Sequence, residues 1–288
     1  AAAVSNGGGL GIIASGGESA DWLRDQIAKV REMTDKPFGV NIMLLADNVE
    51  ELIDVVCEEK VPVVTTGAGN PGKYIAKMKE AGIKVVPVVA NLALATRVER
   101  AGADAVVAEG TEAGGHIGET TTMALVPQMV DALDIPVIAA GGIADGRGIA
   151  AAYMLGAQGV QVGTRFLVAN EYIVAQGYKD AIIKAKDSST VATGRSTGHP
   201  VRIIKNKLAR KILSLEKQNA PEEEINQLCT GTLAAAVRDG DSDNGNIMSG
   251  QIAGLVKKEQ PAAEIIEEMF KEEEEIYEER YLKFRNMG

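Results

Sequence analysis

The chain has 288 residues, 45% of them hydrophobic, with 30 basic and 40 acidic residues and a net charge of −10. This length suffices for one barrel-sized domain or for one domain with an attachment, and the acidic balance argues against nucleic acids and anionic membranes as partners. No apolar run approaches the roughly 20 residues of a membrane span, and we recognise no signal peptide. The two cysteines are too few for a disulfide framework or a zinc site, which favours a reducing, cytoplasmic location.

Seven short β-rich runs follow one another along the first part of the chain. Most of them are continuously apolar, as is typical of strands that are buried on both faces of a parallel sheet. We predict strands at Leu10–Ser15, Phe38–Leu44, Pro62–Ala68, Lys84–Ala90, Ala105–Gly110, Pro136–Gly142 and Gly159–Leu167.

Amphipathic segments with charges on one face separate these runs, for example SADWLRDQIAKVREMTD and NVEELIDVVCEEK. The alternation predicts βα units and a parallel α/β fold. The chain opens on AAAVSNGGGLGI, which has the pattern of a helix end, a glycine stop and a strand. Because a βα unit begins with a strand, we expect the first strand of a (β/α)8 TIM barrel to be missing from this chain; with it, the strands number eight.

We expect three regions along the chain. Residues 1–169 form the barrel, residues 170–250 form a small helical insert or cap over the active site, and residues 251–288 form two C-terminal helices that pack back on the barrel. The acidic run EEEE in the last helix is typical of a solvated face, and we predict no metal site. His199 precedes Pro200 at the predicted start of a helix in the cap, so we expect a structural role for it, with a place beside the substrate channel as the alternative.

Glycine is concentrated in the loops that follow the predicted strands, above all in GGIADGRG and VGTRF after the last two. Barrels often bind phosphate at these two loops, and glycine lets backbone N–H groups approach an anion closely. We therefore predict a phosphate cradle at Gly141, Gly142, Gly163 and Thr164. Tight turns without a ligand are the alternative.

Eight segments carry a more specific signal. They are GGGLGII, DKPFGVNIMLL, VVTTGAGNP, AGADAVVAEGTEAGGHIG, PVIAAGGIADGRG, GAQGVQVGTRFL, GHPVRIIKN and IMSGQIAGL. Together they resemble the FMN-dependent trans-2-enoyl-acyl-carrier-protein reductases, within the wider nitronate monooxygenase (2-nitropropane dioxygenase) family. The segment TTGAGNP and the long insert favour the reductase branch over the monooxygenase branch.

The resemblance implies a barrel that holds FMN beneath a small helical domain, with NADH or NADPH as the reductant and no Rossmann fingerprint for it. It also implies acyl carrier protein as a partner, a homodimer and activation by a monovalent cation. The family's first strand, with its Gln-Gly-Gly-Met type turn, has no counterpart in this chain. The implied cofactor-binding residues, besides the phosphate cradle, are Asn41, Thr66, Glu109, Gly115, Met248 and Gln251.

His116, one of only two histidines, lies in the glycine-rich loop AEGTEAGGHIG. The implied reaction delivers a hydride to the β-carbon of an enoyl thioester and a proton to its α-carbon. Histidine titrates near the working pH, which suits a proton donor, and the glycines around it leave space for a flat flavin. We predict that His116 is catalytic; a hydrogen bond to a neighbouring loop is the alternative.

Three other functions stay open at this point. One is a nitronate monooxygenase of the same barrel family, and another is a flavin-free phosphate-binding isomerase or lyase that uses Glu109 and His116. The third is a flavin-binding protein without catalysis. An acidic carrier protein would need a basic surface on this acidic chain, and one predicted helix offers five basic residues, which an ordinary solvated face explains equally well. They are Arg202, Lys205, Lys207, Arg210 and Lys211.

Overall fold

The computed structural model describes residues 1–283; residues 284–288, the end of the predicted C-terminal region, lie outside the described residues. Seven strands form one parallel sheet in chain order, which curls into an open barrel. Its strands are β1 (Gly11–Ala14), β2 (Phe38–Met43), β3 (Val63–Gly67), β4 (Lys84–Val89), β5 (Val106–Glu109), β7 (Val137–Ala140) and β8 (Gly159–Gln161). Three further strands form a small antiparallel sheet: β6 (Gly115–His116), β9 (Thr190–Thr193) and β10 (Val201–Ile204).

Helices follow the barrel strands and cover the outer face of the sheet. Several begin at residues whose side chains accept a hydrogen bond from a first-turn N–H group, such as Ser19 and Asn91. The helices are α1 (Ala2–Asn6), α2 (Ala20–Met33), α3 (Val49–Glu58), α4 (Gly72–Glu80), α5 (Leu92–Arg100), α6 (Thr122–Ala132), α7 (Gly146–Met154), α8 (Gln176–Ile183), α9 (Lys207–Lys217), α10 (Glu222–Cys229), α11 (Thr232–Ala234) and α12 (Ala262–Ile276). Short 3₁₀ turns lie at Phe166–Val168 and Gln251–Leu255, and π turns lie at Ala235–Asp239 and Tyr277–Leu282.

The two faces of each barrel strand have different environments. On β2, Val40 and Ile42 are fully buried in the large core between sheet and helices. Side chains alternate along a strand, so Asn41 points to the opposite side, into the barrel. A smaller apolar cluster that includes Val86 and Val107 fills the lower interior of the barrel. The prediction of a parallel α/β, TIM-barrel-like fold is therefore confirmed.

The last predicted strand, Gly159–Leu167, is too long. The strand β8 ends at Gln161, and the chain then turns through Gly163 and Thr164 into a 3₁₀ turn. The position of Thr164 is fixed by a hydrogen bond that its Oγ1 accepts from the N–H of Gly250, 2.8 Å away. A contact with a residue so far along the chain has no signature in the local pattern.

The cap is not purely helical, which corrects the prediction for residues 170–250. It contains β9 and β10, and β10 pairs with β6 of the barrel loop. The run from Val201 to Ile204 is rich in β-branched residues, which suit a strand, and α9 begins only after Asn206, whose side chain accepts from Ala209 N. Pro200 consequently precedes a strand and is not a first-turn helix residue.

The C-terminal region packs on the barrel through α12, but the first of its two predicted helices is only the short 3₁₀ turn at Gln251–Leu255. The acidic run in α12 is more than a solvated face, because Glu272 Oε2 accepts a hydrogen bond from Gly146 N at 2.9 Å. Within residues 1–283, every helix is too short or too polar to cross a membrane.

Candidate active site

Polar side chains point into the barrel at the carboxyl ends of its strands. Asn41 lies opposite Thr65 in the β2–β3 register, and its Nδ2 donates a hydrogen bond to Thr65 Oγ1 at 2.9 Å. On β5, Val107 belongs to the inner cluster, so Glu109, two residues further, also points inward. The predicted residues Asn41 and Glu109 thus share one concave face.

Thr66 does not join them. It lies in the same register row as Ile42, which packs in the outer core, and it is buried on that side of the sheet with no hydrogen-bond partner for its Oγ1 among the described residues. The inward threonine of β3 is its neighbour Thr65. Sequence reasoning also missed Gln161, which shares the inward row of Ala140 on β7. The alternation of side chains along each strand indicates which residues share the face of Asn41, but it can be carried from one strand to the next only when the strand register is known.

Burial of the Glu109 carboxyl has an electrostatic consequence. The side chain is half-buried on the floor of the cleft and makes no ion pair within residues 1–283, and desolvation raises its pKa from 4.5 to about 7. At neutral pH and below, a substantial fraction of the molecules therefore carries a proton on this carboxyl, which can then donate a hydrogen bond as well as accept one.

Replacing Glu109 with glutamine should make the flavin-free protein more stable at about pH 8, by roughly 3 kcal/mol. Between about pH 4.5 and 7 the folded state keeps a proton on Glu109 that the unfolded chain releases. The contribution of Glu109 to the free energy of unfolding is therefore lost as the pH rises through this range. Thermal unfolding of both proteins across this range checks the prediction. The advantage of the variant should shrink as the pH falls towards 5; a constant difference would contradict the raised pKa.

The residues of the predicted phosphate cradle lie in the loops after β7 and β8, two strands that pair in register up to Ala140 and Gln161. Both Gly142 and Gly163 are exposed, and their N–H groups donate to no acceptor in the part of the chain that the structure describes. A Cβ at Gly163 would meet no atom within 4 Å, so the open space beside these amides is available to a ligand.

Two details correct the expected cradle. Gly141 has a φ of +89°, and a Cβ there would lie 2.8 Å from the carbonyl oxygen of Gly110, so this glycine is required by loop packing. The N-terminus of α7 is not open to an anion, because Asp145 accepts from Arg147 N and Gly148 N. The amides of the loops themselves, and not the helix end, are the groups that can bind phosphate.

His116 is held at the mouth of the barrel by β6. Gly115 before it has a φ of +78°, and Val201 of β10 lies opposite His116. The side chain is half-buried, and burial is the main reason why its pKa is lowered from 6.5. The imidazolium of His116 is therefore a stronger acid than that of a solvated histidine, but it accumulates only at lower pH.

The segment 248–251, which the resemblance places at the flavin, packs in the structure against the loop that carries His116. A Cβ on Gly114 would lie 2.6 Å from Gly250 N, and Met248 Sδ lies near Gly115. The N–H of Gln251 donates to Glu112 O at 2.9 Å, and Tyr178 Oη donates to Met248 O at 2.8 Å. Met248 and Gly115 are thus brought together, while Gln251 contacts the loop through its backbone and has an exposed side chain.

Two charged residues that sequence reasoning did not assign to the site shape the same loop. The Glu112 carboxylate accepts from Thr122 N at 3.0 Å and 3.1 Å and thereby caps α6. Arg202 is buried in β10, and its Nε donates to Thr111 O at 3.0 Å. Among residues 1–283 no cluster of three or more histidine, cysteine or acidic side chains is arranged to hold a metal ion.

Taken together, the cleft has amides for an anion at one end, inward polar groups on its floor and a histidine at its mouth. Gly67 on β3 leaves further free space on the inward face, where a Cβ would meet no atom within 4 Å. This is the arrangement that a flat, phosphate-bearing group such as FMN needs, so the residues present fit that cofactor.

Known proteins show the same pattern over nearly the whole chain. The sequence model of the family described as Nitronate monooxygenase matches residues 1–53 and 46–272. The structure of FabK from Thermotoga maritima is 52% identical, with a TM-score of 0.96, and the match covers 100% of this chain and 91% of that one.

Two curated relatives are also similar. A probable nitronate monooxygenase of Staphylococcus saprophyticus is 37% identical, covering 96% of this chain and 90% of that protein. The (3aS,4S,5R,7aS)-5-hydroxy-7a-methyl-1-oxo-octahydro-1H-indene-4-carboxyl-CoA dehydrogenase of Mycobacterium tuberculosis is 34% identical, covering 92% of this chain and 86% of that protein.

Proposed function

Because this chain belongs to the nitronate monooxygenase family of flavin-dependent oxidoreductases, we propose that it uses FMN and NADH or NADPH to reduce the trans-2 double bond of enoyl-acyl-carrier-protein thioesters. The observation that carries this proposal is the 52% identity with FabK over the whole chain. It supports the reductase branch that the loop segments already resemble. The relative that is named as a carboxyl-CoA dehydrogenase supports a thioester as the class of substrate.

Each part of the cleft has a task in this proposal. The amides of Gly142, Gly163 and Thr164 would hold the FMN phosphate, and Asn41 with Glu109 would face the ribityl chain or the ring. When bound, FMN supplies the hydride transfer from the nicotinamide to the β-carbon of the thioester. His116 supplies the proton at the α-carbon and recovers it from solvent, so that one NAD(P)H and one proton are consumed for each saturated product.

The loop around His116 would limit the access of water. Gly114 and Gly115 let segment 248–251 come into backbone contact, and Met248 presents an apolar side chain beside the histidine. A thin acyl chain fits between such surfaces, whereas bulk water would compete with His116 for proton transfer.

The test is an anaerobic absorbance experiment. NADH or NADPH should bleach the flavin spectrum of the purified protein, and an enoyl thioester should restore it. The 37% identity with a probable nitronate monooxygenase makes that activity the second candidate. Oxygen uptake with an alkyl nitronate, combined with no reoxidation by the enoyl thioester, would assign the protein to that activity instead; colourless protein that takes up no FMN would overturn both.

Further expectations from the resemblance stand as parts of this proposal: a homodimer, activation by a monovalent cation, a cytoplasmic location, and a cap formed by residues 170–250 over the barrel. The involvement of Thr164, Gly115, Met248 and Gln251 in cofactor binding is likewise proposed.

The basic surface for an acidic carrier protein is smaller than predicted. Arg202 is buried, Lys205 Nζ donates to Ser188 O at 2.6 Å, and Lys207 pairs with Asp243 at 2.7 Å. The remaining pair, Arg210 and Lys211, is exposed on α9 and makes no ion pair within residues 1–283. These two side chains are the best candidates for a docking contact.

Reversing Arg210 and Lys211 to glutamate should raise the KM for acyl-carrier-protein substrates roughly ten-fold, because like charges would then meet across the interface. A coenzyme A thioester should be affected little, and added salt should reduce the defect. Lys36→Glu, in the loop before β2 at the opposite end of the barrel, is the matched control. An equal loss on both substrate types would argue against docking on α9.

A further inference from the structure

Two buried side chains from different parts of the fold hold the segment 248–251. In the cap, Tyr178 of α8 donates a hydrogen bond from its Oη to Met248 O at 2.8 Å. In the barrel, Thr164 accepts a hydrogen bond at its Oγ1 from Gly250 N, also at 2.8 Å. Hydrogen bonds are electrostatically stronger in buried surroundings than in water. The backbone of the segment is therefore fixed from the cap and from the barrel at the same time.

The segment packs directly on the His116 loop, residues 110–118. The N–H of Gln251 donates to Glu112 O at 2.9 Å, and a Cβ on Gly114 would lie 2.6 Å from Gly250 N. A Cβ on Gly250 would in turn lie 2.8 Å from Glu112 O. The two backbones touch with no side chain between them, so a shift of the segment must also shift the loop.

The pairing of this region with β10 becomes weaker along the chain. Ile204 N donates to Ile247 O at 2.9 Å, whereas the next bond, from Ser249 N to Arg202 O, is 3.4 Å long. Such bonds are weak beyond about 3.2 Å. The strand β10 therefore fixes the chain before the segment better than it fixes the segment itself.

Two side chains of the segment form no hydrogen bond that would hold it. Ser249 is fully buried, and its Oγ has no partner in the part of the chain that the structure describes. The side chain of Gln251 is exposed and forms no hydrogen bond there either. The position of the segment therefore depends largely on hydrogen bonds of its backbone, and two of these are made with Tyr178 and Thr164.

We propose that Tyr178 and the Thr164 hydroxyl are positioning residues, which keep the His116 loop in place by holding the segment 248–251 against it. Both act through the segment and not on His116 itself. The anchoring follows from the contacts alone, whereas its effect on catalysis rests on the proposed function. In that reaction, displacement of the loop slows the half that needs His116 as proton donor.

Amide hydrogen exchange of the purified protein, measured by mass spectrometry, tests the anchoring without any substrate. Tyr178→Phe and Thr164→Val each remove one hydroxyl and keep the shape of the side chain. In both variants, peptides covering residues 247–252 and 111–117 should exchange roughly 3–10-fold faster than in the wild type, as expected for the loss of one hydrogen bond. Thr164→Ser keeps the hydroxyl and should exchange at the wild-type rate.

Three hydroxyls serve as matched controls, because none of them forms a hydrogen bond among the described residues. They are those of Tyr153 on α7, Thr190 on β9 and Ser249 in the segment itself. In Tyr153→Phe, Thr190→Val and Ser249→Ala, the same two peptides should exchange no faster than in the wild type. Equal acceleration in these controls, or wild-type exchange of the His116 loop in both anchor variants, would overturn the inference.

Tyr178→Phe also separates the two half-reactions, since Tyr178 lies outside the proposed cofactor cradle. Reoxidation of the reduced protein by an enoyl thioester should slow roughly 10–100-fold, while reduction by NADH or NADPH should stay within about two-fold of the wild type. Faster exchange with unchanged reoxidation would overturn the positioning role. Faster exchange in a protein that reduces no enoyl thioester would instead overturn the proposed function and leave the anchoring standing.

Discussion

His116→Ala should slow reoxidation of the reduced protein by an enoyl thioester about 10²–10⁴-fold, the usual size of a general acid–base contribution. Flavin binding should survive, since the proposed phosphate cradle lies on other loops, after β7 and β8. Reduction by NADH or NADPH should also persist within a small factor, because only the second half-reaction needs a proton at the α-carbon. Anaerobic stopped-flow absorbance follows the two halves separately.

The pH dependence supplies a control within the same experiment. In the wild type, reoxidation should become faster as the pH falls from about 8 to 6, because the lowered pKa of His116 means that its protonated form accumulates only at lower pH. The alanine variant should lose this dependence, and added imidazole should restore part of the rate, since the glycines around position 116 leave space. If both half-reactions slow equally, His116 positions substrates instead of donating a proton; if neither slows, it is structural.

Gly163→Val should yield folded protein that lacks FMN. The side chain would occupy the open space at Gly163, where a Cβ now meets no atom within 4 Å. Losing two hydrogen bonds to a charged phosphate, at about 1.5–3 kcal/mol each, corresponds to roughly 10²–10⁴-fold weaker binding. Flavin absorbance of the purified protein, followed by titration with FMN, measures the loss.

Position 163 is the better test of the cradle because Gly142 has a φ of +76°, where any side chain is strained and folding itself would suffer. Gly159→Ala lies at the other end of β8, where a Cβ would make ordinary contact with Ile138, and it should retain full flavin. Full occupancy in Gly163→Val would refute the phosphate assignment.

Sequence patterns predicted the structure correctly wherever a segment's conformation depends on residues close by in the chain. The apolar runs of β2 and β4 predicted buried parallel strands because both faces of such strands exclude water. The glycine loops at 141–142 and 163–164 predicted open backbone amides, because a missing Cβ is a property of the residue itself. His116 was selected as a candidate because it is rare and lies among glycines, and its catalytic role stays a prediction.

The same patterns failed in two situations. In one, the face of the sheet depends on a shift of a single residue, and in the other, the structure of a segment depends on a partner far away in the chain. Thr66 was assigned to the cleft, but Thr65 occupies it, because adjacent strand residues face opposite sides and only the pairing with Asn41 shows which side is inside. Residues 199–204 were assigned to a helix, but Val201 pairs with His116, and this pairing depends on a strand 85 positions earlier in the chain (201 − 116).

The sequence by itself thus determined the barrel and the positions of its glycine-rich loops, because alternation, apolar runs and glycine content are encoded within a few neighbouring residues. Only the tertiary structure decided which side chains meet. It placed Glu272 at the N-terminus of α7, where it accepts from Gly146 N, it buried Arg202 beneath the His116 loop, and it paired Val201 with His116. These are hydrogen bonds and strand pairings between segments far apart in the chain. They stabilise the protein only after both segments have folded into place.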